Sequence, residues 1–425
     1  MINEESVRAI AASQFTDQFM RPRYDAWSFA ALPDTLRRVL IGGDVGGVSF
    51  GSRDDLLQTY DTVILLFVDA FGWRFFQQWA KRDPFLARIV REGAVSQISS
   101  QFPSTTAAHV TTIHTGLPVG QHGLYEWFVY DPQIDALVAS LLFSFAGDHE
   151  RDTLEHAGVV PTALYPQQTL YQQFAEHGVR SWVFQPLAYA QSPFSRTVTD
   201  GAALVPYRTL PEAVINLADL IEQQQDRSYY MLYWDSIDTI CHWYGPDSPQ
   251  LAAEIDTFLS IMERVLQPAL SRSKHRTLLL ITADHGQAAI DPTTTVYLNQ
   301  SLPQIEQWIK RSRAGQLLVP AGSSRDLFLH IKDEYLHEAQ DALQTHLADR
   351  ADVLRVPDLI DRGFFGPPPL SSVFLSRVGD LVVLPHAEQS MWWYEAGRFD
   401  QPFRGQHGGL SRHEMETLVL AQPYG

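Results

Sequence analysis

The sequence predicts an α/β fold with a mostly parallel central sheet and helices on both faces. Three observations predict it. The continuous apolar run at residues 63–68 and the stretch Thr277-Leu-Leu-Leu-Ile-Thr282 suit strands buried on both faces. Strand-type runs alternate with helix-type segments along much of the chain. The 425 residues are 45% hydrophobic and 19% charged, enough apolar material for a large core and too little charge for a disordered chain.

The elements follow in order. Residues 1–60 are a lead-in rich in aromatics and arginine, expected to pack on the core. The run Gly42-Gly43-Asp44-Val45-Gly46-Gly47 lacks the Lys-Ser/Thr of a phosphate loop and reads as a loop or turn. The strand at 63–68 is followed by a helical stretch from about Arg74. Thr169 and Gln172 form a capping-box pattern, and Gly178 suits the end of the helix they open. A strand at 181–184, a helix at 212–223 and a strand at 229–233 continue the alternation. Ser248-Pro249 opens a helix whose Leu251, Ile255, Phe258, Leu259, Met262, Val265 and Leu266 make one apolar stripe.

The rhythm changes after residue 300. A strand at 326–331, a helix at 334–347, short strands at 353–355 and 381–384, and a Gly/Pro loop at 363–369 read as a small inserted α+β subdomain over 301–395. The core is then 61–300 together with 396–425, closing on a strand at 417–421.

Bulk properties bound the function. The formal net charge of −17 argues against nucleic-acid polymers and anionic membranes as partners, since both call for clustered Lys and Arg. It leaves room for a small phosphoester substrate, because divalent cations invert the field of a carboxylate-rich site. The single cysteine, Cys241, excludes an internal disulfide. The N-terminus does not read as a signal peptide and no apolar run reaches membrane-spanning length, so a cytoplasmic location is expected.

Chemistry is expected beyond the strand ends, where open parallel sheets build their sites. Asp69 directly follows the first strand, as a helix cap or a metal ligand. Asp284-His285-Gly286 follows the strand at 277–282, offering an oxygen and an imidazole nitrogen that suit a borderline metal. Asp238 and His242 lie four residues apart, a spacing that on a helix puts both on one face. His407 sits in the glycine loop Arg404-Gly-Gln-His-Gly-Gly. Phe102-Pro-Ser-Thr-Thr-Ala-Ala-His109 precedes Thr115-Gly116 and reads either as a helix cap or as a hydroxyl held at a helix N-terminus, where a phosphate is favoured.

Each piece is common, but their order resembles the alkaline phosphatase superfamily, most closely its type I phosphodiesterase/nucleotide pyrophosphatase branch. The resemblance implies two divalent metal ions, usually zinc, with manganese the other option. It implies one ion on Asp69, Asp284, His285 and the Thr106 oxygen, and the other on Asp238, His242 and His407. The family's nucleophile precedes Thr-Gly by nine residues, which selects Thr106 over Thr105. The implied activity is phosphodiester or pyrophosphate hydrolysis through a phospho-threonine, with a nucleotide as one candidate substrate. A phosphomonoesterase on the same site and a non-catalytic binding protein of this fold are the alternatives.

The sequence departs from the family at one place. His109 stands where the branch has an asparagine that holds a phosphate oxygen; it is either a hydrogen-bond donor to the phosphoryl group or a packed helix residue. Trp73, Tyr125, Trp127 and Trp234 are candidates for stacking on a ring of the substrate. His114 reads as helix packing, His122 as a turn or supporting residue and His413 as a surface or capping residue. Cys241 is not at a ligand position. The oligomeric state is not legible.

Overall fold

The computed structural model describes residues 1–43, 45–223 and 225–425. Asp44, inside the glycine run read as a loop, lies outside the described residues; its described neighbours are in neither helix nor strand.

A seven-stranded sheet forms the centre. From one edge its strands are Ala94–Ser99, Glu416–Tyr424, Thr277–Thr282, Thr62–Val68, Ser228–Trp234, Arg180–Pro186 and Ala203–Tyr207. The five strands from Thr277–Thr282 onward pair in parallel. Glu416–Tyr424 runs antiparallel to both of its neighbours. Alternation along each strand explains the unbroken apolar runs. Val63, Leu65 and Phe67 join one hydrophobic cluster, while Ile64, Leu66 and Val68 join a second on the opposite face. Tyr229, Met231 and Tyr233 divide from Tyr230, Leu232 and Trp234 in the same way.

Helices cover both faces. Leu32–Ile41, Thr106–Thr115 and Leu170–Glu176 contribute to the first cluster; Trp73–Trp79, Pro84–Glu92, Leu210–Gln223 and Pro249–Ile261 contribute to the second. The Thr169/Gln172 capping box forms, and Ser248 caps its helix by accepting from the Leu251 N–H. The stripe from Leu251 does not continue as plain α-helix. Met262–Leu266 is a π turn before Gln267–Arg272, and Pro268 in that next segment has no N–H to give an α-helical bond.

The register sets the site. Val68 aligns with Trp234 and Phe67 with Thr282, so the residues following all three strands emerge at one edge. Because Glu416–Tyr424 runs the other way, the segment before it reaches that same edge.

Residues 296–393 enclose a third cluster around the strands Leu327–Leu329, Ala351–Arg355 and Leu381–Pro385 and the helix Leu336–Leu347. It is not a detached unit. Val356, Phe364, Phe365 and Phe374 pack into the first cluster, and so do Ile10, Phe19 and Phe29 of the lead-in. The antiparallel strands Phe128–Asp131, Ala136–Ala139 and Ser144–Phe145, absent from the sequence reading, bury Val129 and Val138 in the first cluster and bridge to the insertion at Gly322. Among the described residues no helix is long and apolar enough to cross a membrane.

Candidate active site

Asp69 leaves the end of its strand through a tight turn in which Ala70 adopts φ 61°. Its backbone N–H donates to the Trp234 carbonyl at 2.9 Å, tying it to the neighbouring strand. The Ala70 and His285 N–H groups donate to Asp284 Oδ1 at 3.1 and 3.0 Å. The other oxygen, Oδ2, is buried with no hydrogen-bond partner. The loops that follow Asp69 and Asp284 approach closely because both carry glycine: a Cβ on Gly72 would lie 2.6 Å from Gly286 Cα.

Three imidazoles converge on these carboxylates, each fixed by a backbone carbonyl. Nδ1 of His242, His285 and His407 lies 2.7, 3.0 and 3.1 Å from the carbonyl oxygens of Gly405, Gly286 and Ser104. A carbonyl only accepts, so Nδ1 carries the proton and Nε2 faces inward, the arrangement found at metal-ligating histidines. His285 Nε2 is 3.3 Å from Asp284 Oδ2 and 3.6 Å from Asp69 Oδ1. His407 Nε2 is 3.6 Å from Asp238 Oδ1, and His242 Nε2 is 3.2 Å from Asp238 Oδ2. The His285 and His407 rings stack with centroids 3.8 Å apart.

Burial holds His285 and His407 well below the usual imidazole range, so both are neutral with bare Nε2 lone pairs. Burial opposes charge on His242 too, but the Asp238 carboxylate outweighs it and raises its pKa. Burial, with Asp284 and Asp238 nearby, pushes Asp69 well above the carboxylate range, and burial pushes Asp284 up to about 7. Asp238 is also buried, yet His242, His407 and Gln287 hold it low.

Lone pairs and crowded carboxylates this close, with Asp284 Oδ2 unpartnered, fit divalent cations. Two groups have donor atoms all within 4.8 Å: Asp69, Asp284 and His285; and Asp238, His285 and His407. His285 thus bridges both groups, while His242 joins through its contact with Asp238.

Thr106 is the first residue of the helix Thr106–Thr115 and the one residue in it that is not fully buried. Its Oγ lies 3.4 Å from Asp69 Oδ2 and 3.3 Å from His285 Nε2. The helix is not capped by a side chain at Thr105.

His109 is placed differently from the first of the two readings offered for it. Its imidazole is fully buried, Nδ1 is 2.7 Å from the Thr105 carbonyl, and Nε2 accepts from the Gln101 N–H at 2.9 Å. The Ser100 hydroxyl is a further 2.9 Å neighbour of Nε2. With Nδ1–H donating and Nε2 occupied, no ring N–H is left for a phosphoryl group. Burial lowers its pKa to about 4, so the ring is neutral. The expectation of a phosphate donor at His109 is therefore corrected: it packs in the core and braces Thr105.

Trp127 borders the site; Trp73, Tyr125 and Trp234 are buried in the core. His114 and His122 are buried, His413 is exposed, and Cys241 is buried in the second cluster. Three supporting residues were not singled out in the sequence. The Tyr233 hydroxyl donates to Asp69 Oδ2, and Gln287 donates to Asp238 Oδ1 at 2.5 Å. Glu126 is fully buried at the edge of the cleft. Tyr233 and Gln287 do lie at or just beyond strand ends, the one signal that marked the place.

A sequence profile described as type I phosphodiesterase / nucleotide pyrophosphatase matches residues 63–410. The chain is 22% identical over 283 residues to human ectonucleotide pyrophosphatase/phosphodiesterase family member 5, covering 63% of this chain and 54% of that protein. It is 22% identical over 245 residues to the venom phosphodiesterase CdcPDE of Crotalus durissus collilineatus, covering 56% of this chain and 27% of that one. The chain spans about half or less of the length of these curated relatives. Murine ectonucleotide pyrophosphatase/phosphodiesterase 5, solved as an inactive variant in complex with AMP, superimposes with TM-score 0.64 at 18% identity, covering 85% of this chain and 87% of that one. The human protein gives TM-score 0.62 with the same identity and coverage. The profile spans most of the chain and takes in every side chain that converges on Thr106: this protein belongs to the type I phosphodiesterase / nucleotide pyrophosphatase family.

Proposed function

We propose that this chain is a two-metal phosphodiesterase whose nucleophile is the Thr106 hydroxyl. The observation that carries this is that the partly buried Thr106 hydroxyl touches Asp69 and His285, which belong to one cluster of three carbonyl-fixed imidazoles and three carboxylates drawn from distant parts of the chain. Asp69, Asp284, His285 and the Thr106 oxygen would hold one ion; Asp238, His242 and His407 would hold the other, with His285 close to both. Zinc is the preferred ion, since the donors mix imidazole nitrogen and carboxylate oxygen, and manganese is the second choice. When bound, such a pair lowers the pKa of the hydroxyl and neutralises charge on the phosphoryl oxygens.

The chain's own part is positioning and charge. Thr106 Oγ gives up its proton and attacks phosphorus in line, and the ester oxygen opposite it departs and is protonated as the alcohol. The phosphoryl group, still carrying the retained arm, stays on Thr106 until water hydrolyses that bond and releases it as a monoester. The N–H groups of Thr106 and Ala107 at the uncapped helix start favour an anionic phosphoryl group. His109 fixes the Thr105 carbonyl and so the backbone that carries the nucleophile. Two cavities flank Thr106, which favours a diester with two organic arms over a monoester. The AMP complex of the murine relative makes a nucleotidyl group the first candidate for one arm.

The test is hydrolysis of bis(4-nitrophenyl) phosphate by protein loaded with zinc or manganese, beside metal analysis of the same sample. Thr106→Ala is expected to lower kcat by a factor on the order of 10³ or more. Unchanged turnover in that variant, or absence of bound or activating metal, would overturn the reading.

A further inference from the structure

The two cavities beside Thr106 differ in chemistry, and the difference selects a leaving group. One, about 400 Å³, is bordered by His242 and His407; the other, about 220 Å³, is bordered by Asp69 and Tyr233. Thr106, Trp127 and Asp238 border both. Thr106 Oγ lies beside Asp69 and His285. In-line displacement puts the departing oxygen on the far side of phosphorus, toward His242 and His407. The leaving arm therefore enters the larger cavity, and the retained arm the smaller.

The larger cavity is walled by Trp127, Phe128, Trp392, Phe399 and Phe403. The walls brace each other. Phe128 stacks on Trp392 with centroids 6.1 Å apart, and Phe399 meets Phe128 edge-on at 5.7 Å. Among its described lining residues the one Lys or Arg is Arg398, which is already engaged. Its guanidinium pairs with Glu395 at 2.9 Å, donates to the Ala146 carbonyl at 2.9 Å and lies 5.1 Å from the Phe399 ring centroid. Asp400 adds an exposed carboxylate to the same lining, while Glu126 lies buried behind it with its pKa pushed up to about 7 by burial.

We infer that the leaving group of the substrate is an uncharged alcohol bearing a flat ring, and that a pyrophosphate leaving group is rejected. The inference rests on the phosphodiesterase reading above and goes beyond it. Ring faces carry negative partial charge and stack on other rings. The outer phosphate of a pyrophosphate would pass beyond His242 and His407 to meet those faces and the Asp400 carboxylate, with no uncommitted Lys or Arg among the described lining residues to receive it. The discrimination is of the repulsive kind: the wrong group is excluded by what it would have to contact.

Two substrates with one retained arm test this. The 4-nitrophenyl ester of thymidine 5′-monophosphate and thymidine 5′-triphosphate both give thymidine monophosphate when cleaved at the α-phosphorus, one releasing an aryl alcohol and the other pyrophosphate. The metal-loaded enzyme is expected to favour the aryl ester by about 100-fold in kcat/KM. Calorimetry on the metal-loaded Thr106→Ala protein gives a second readout, with Trp392→Ala in that background weakening aryl-ester binding by about tenfold. Asp400→Lys is expected to raise the ratio of triphosphate to aryl-ester turnover. Equal kcat/KM for the two substrates, or aryl-ester binding indifferent to Trp392→Ala, overturns the leaving-group assignment while sparing the phosphodiesterase reading. Failure to cleave either substrate removes that reading, and this inference with it.

Discussion

Nδ1 of His407 lies 3.1 Å from the carbonyl oxygen of Ser104, joining a loop near the C-terminus to the segment that carries Thr106. The Ser104 side chain reinforces the join. Its hydroxyl donates to the Gly409 carbonyl at 2.7 Å and accepts from the Gly408 N–H at 3.2 Å. Ser104→Ala leaves both backbone groups without that partner in a buried place. It is expected to weaken metal binding about 10- to 100-fold, read by chelator competition, because supporting hydrogen bonds set ligand orientation. Unaltered affinity would mean that the backbone bridge alone holds His407.

Tyr233 supports the other half of the site. Its hydroxyl donates to Asp69, so Tyr233→Phe removes one bond and nothing else from a packed core. A kcat loss of about 10-fold or more is expected on bis(4-nitrophenyl) phosphate, with the melting temperature nearly unchanged. Wild-type turnover would show that Asp69 is held well enough without it.

His109 divides stability from chemistry. His109→Ala strands the buried Gln101 N–H and leaves a cavity, so a loss of about 2–4 kcal/mol in chemical denaturation is expected. Thr106→Ala, at a half-exposed position, should cost little stability while removing turnover. A His109→Ala protein as stable as the wild type would contradict the buried bracing role.

The insertion is bolted to the core by Arg325 and Glu414, both fully buried, in a two-pronged pair at 2.9 and 2.8 Å. Glu414 also accepts from the Gly409 and Ser411 N–H groups beside the His407 loop. Glu414→Gln removes the charge that balances a buried guanidinium and is expected to cost about 3–5 kcal/mol. Differential denaturation at neutral pH measures it, and a change under 1 kcal/mol would refute the assignment.

Acid sensitivity follows from buried histidines. Burial lowers His114 to about 3 from an ordinary value of 6.5. The folded state therefore binds fewer protons than the unfolded one between those values. Its stabilising contribution is complete above pH 6.5 and is lost as pH falls toward 3, by up to about 1.4 kcal/mol per pH unit. Denaturation between pH 7 and pH 5 should show this slope, and His114→Phe should flatten it by about one proton. An identical slope in the variant would remove His114 as a source.

The periodicities of the chain determined the architecture and the place of the chemistry. Runs such as 63–68 are apolar at every position because alternate residues feed opposite clusters, and that pattern is written locally. Asp69, Asp238 and Asp284 were legible because parallel strands in register must deliver their C-terminal ends to one edge. The sequence also located His407, but not the reason it stands before its strand instead of after it. That comes from the antiparallel course of Glu416–Tyr424, a pairing between distant segments. Tertiary structure alone decided the orientation of side chains with two plausible directions. His109 could have faced the cleft or the core, and the Thr105 carbonyl and Gln101 N–H drew it inward. It also decided which aromatics border the cleft, since Trp127 is far along the chain from Trp392 and Phe403. Spacing along a chain fixes what one element can present. Which faces meet depends on packing between elements, and that is a property of the folded whole.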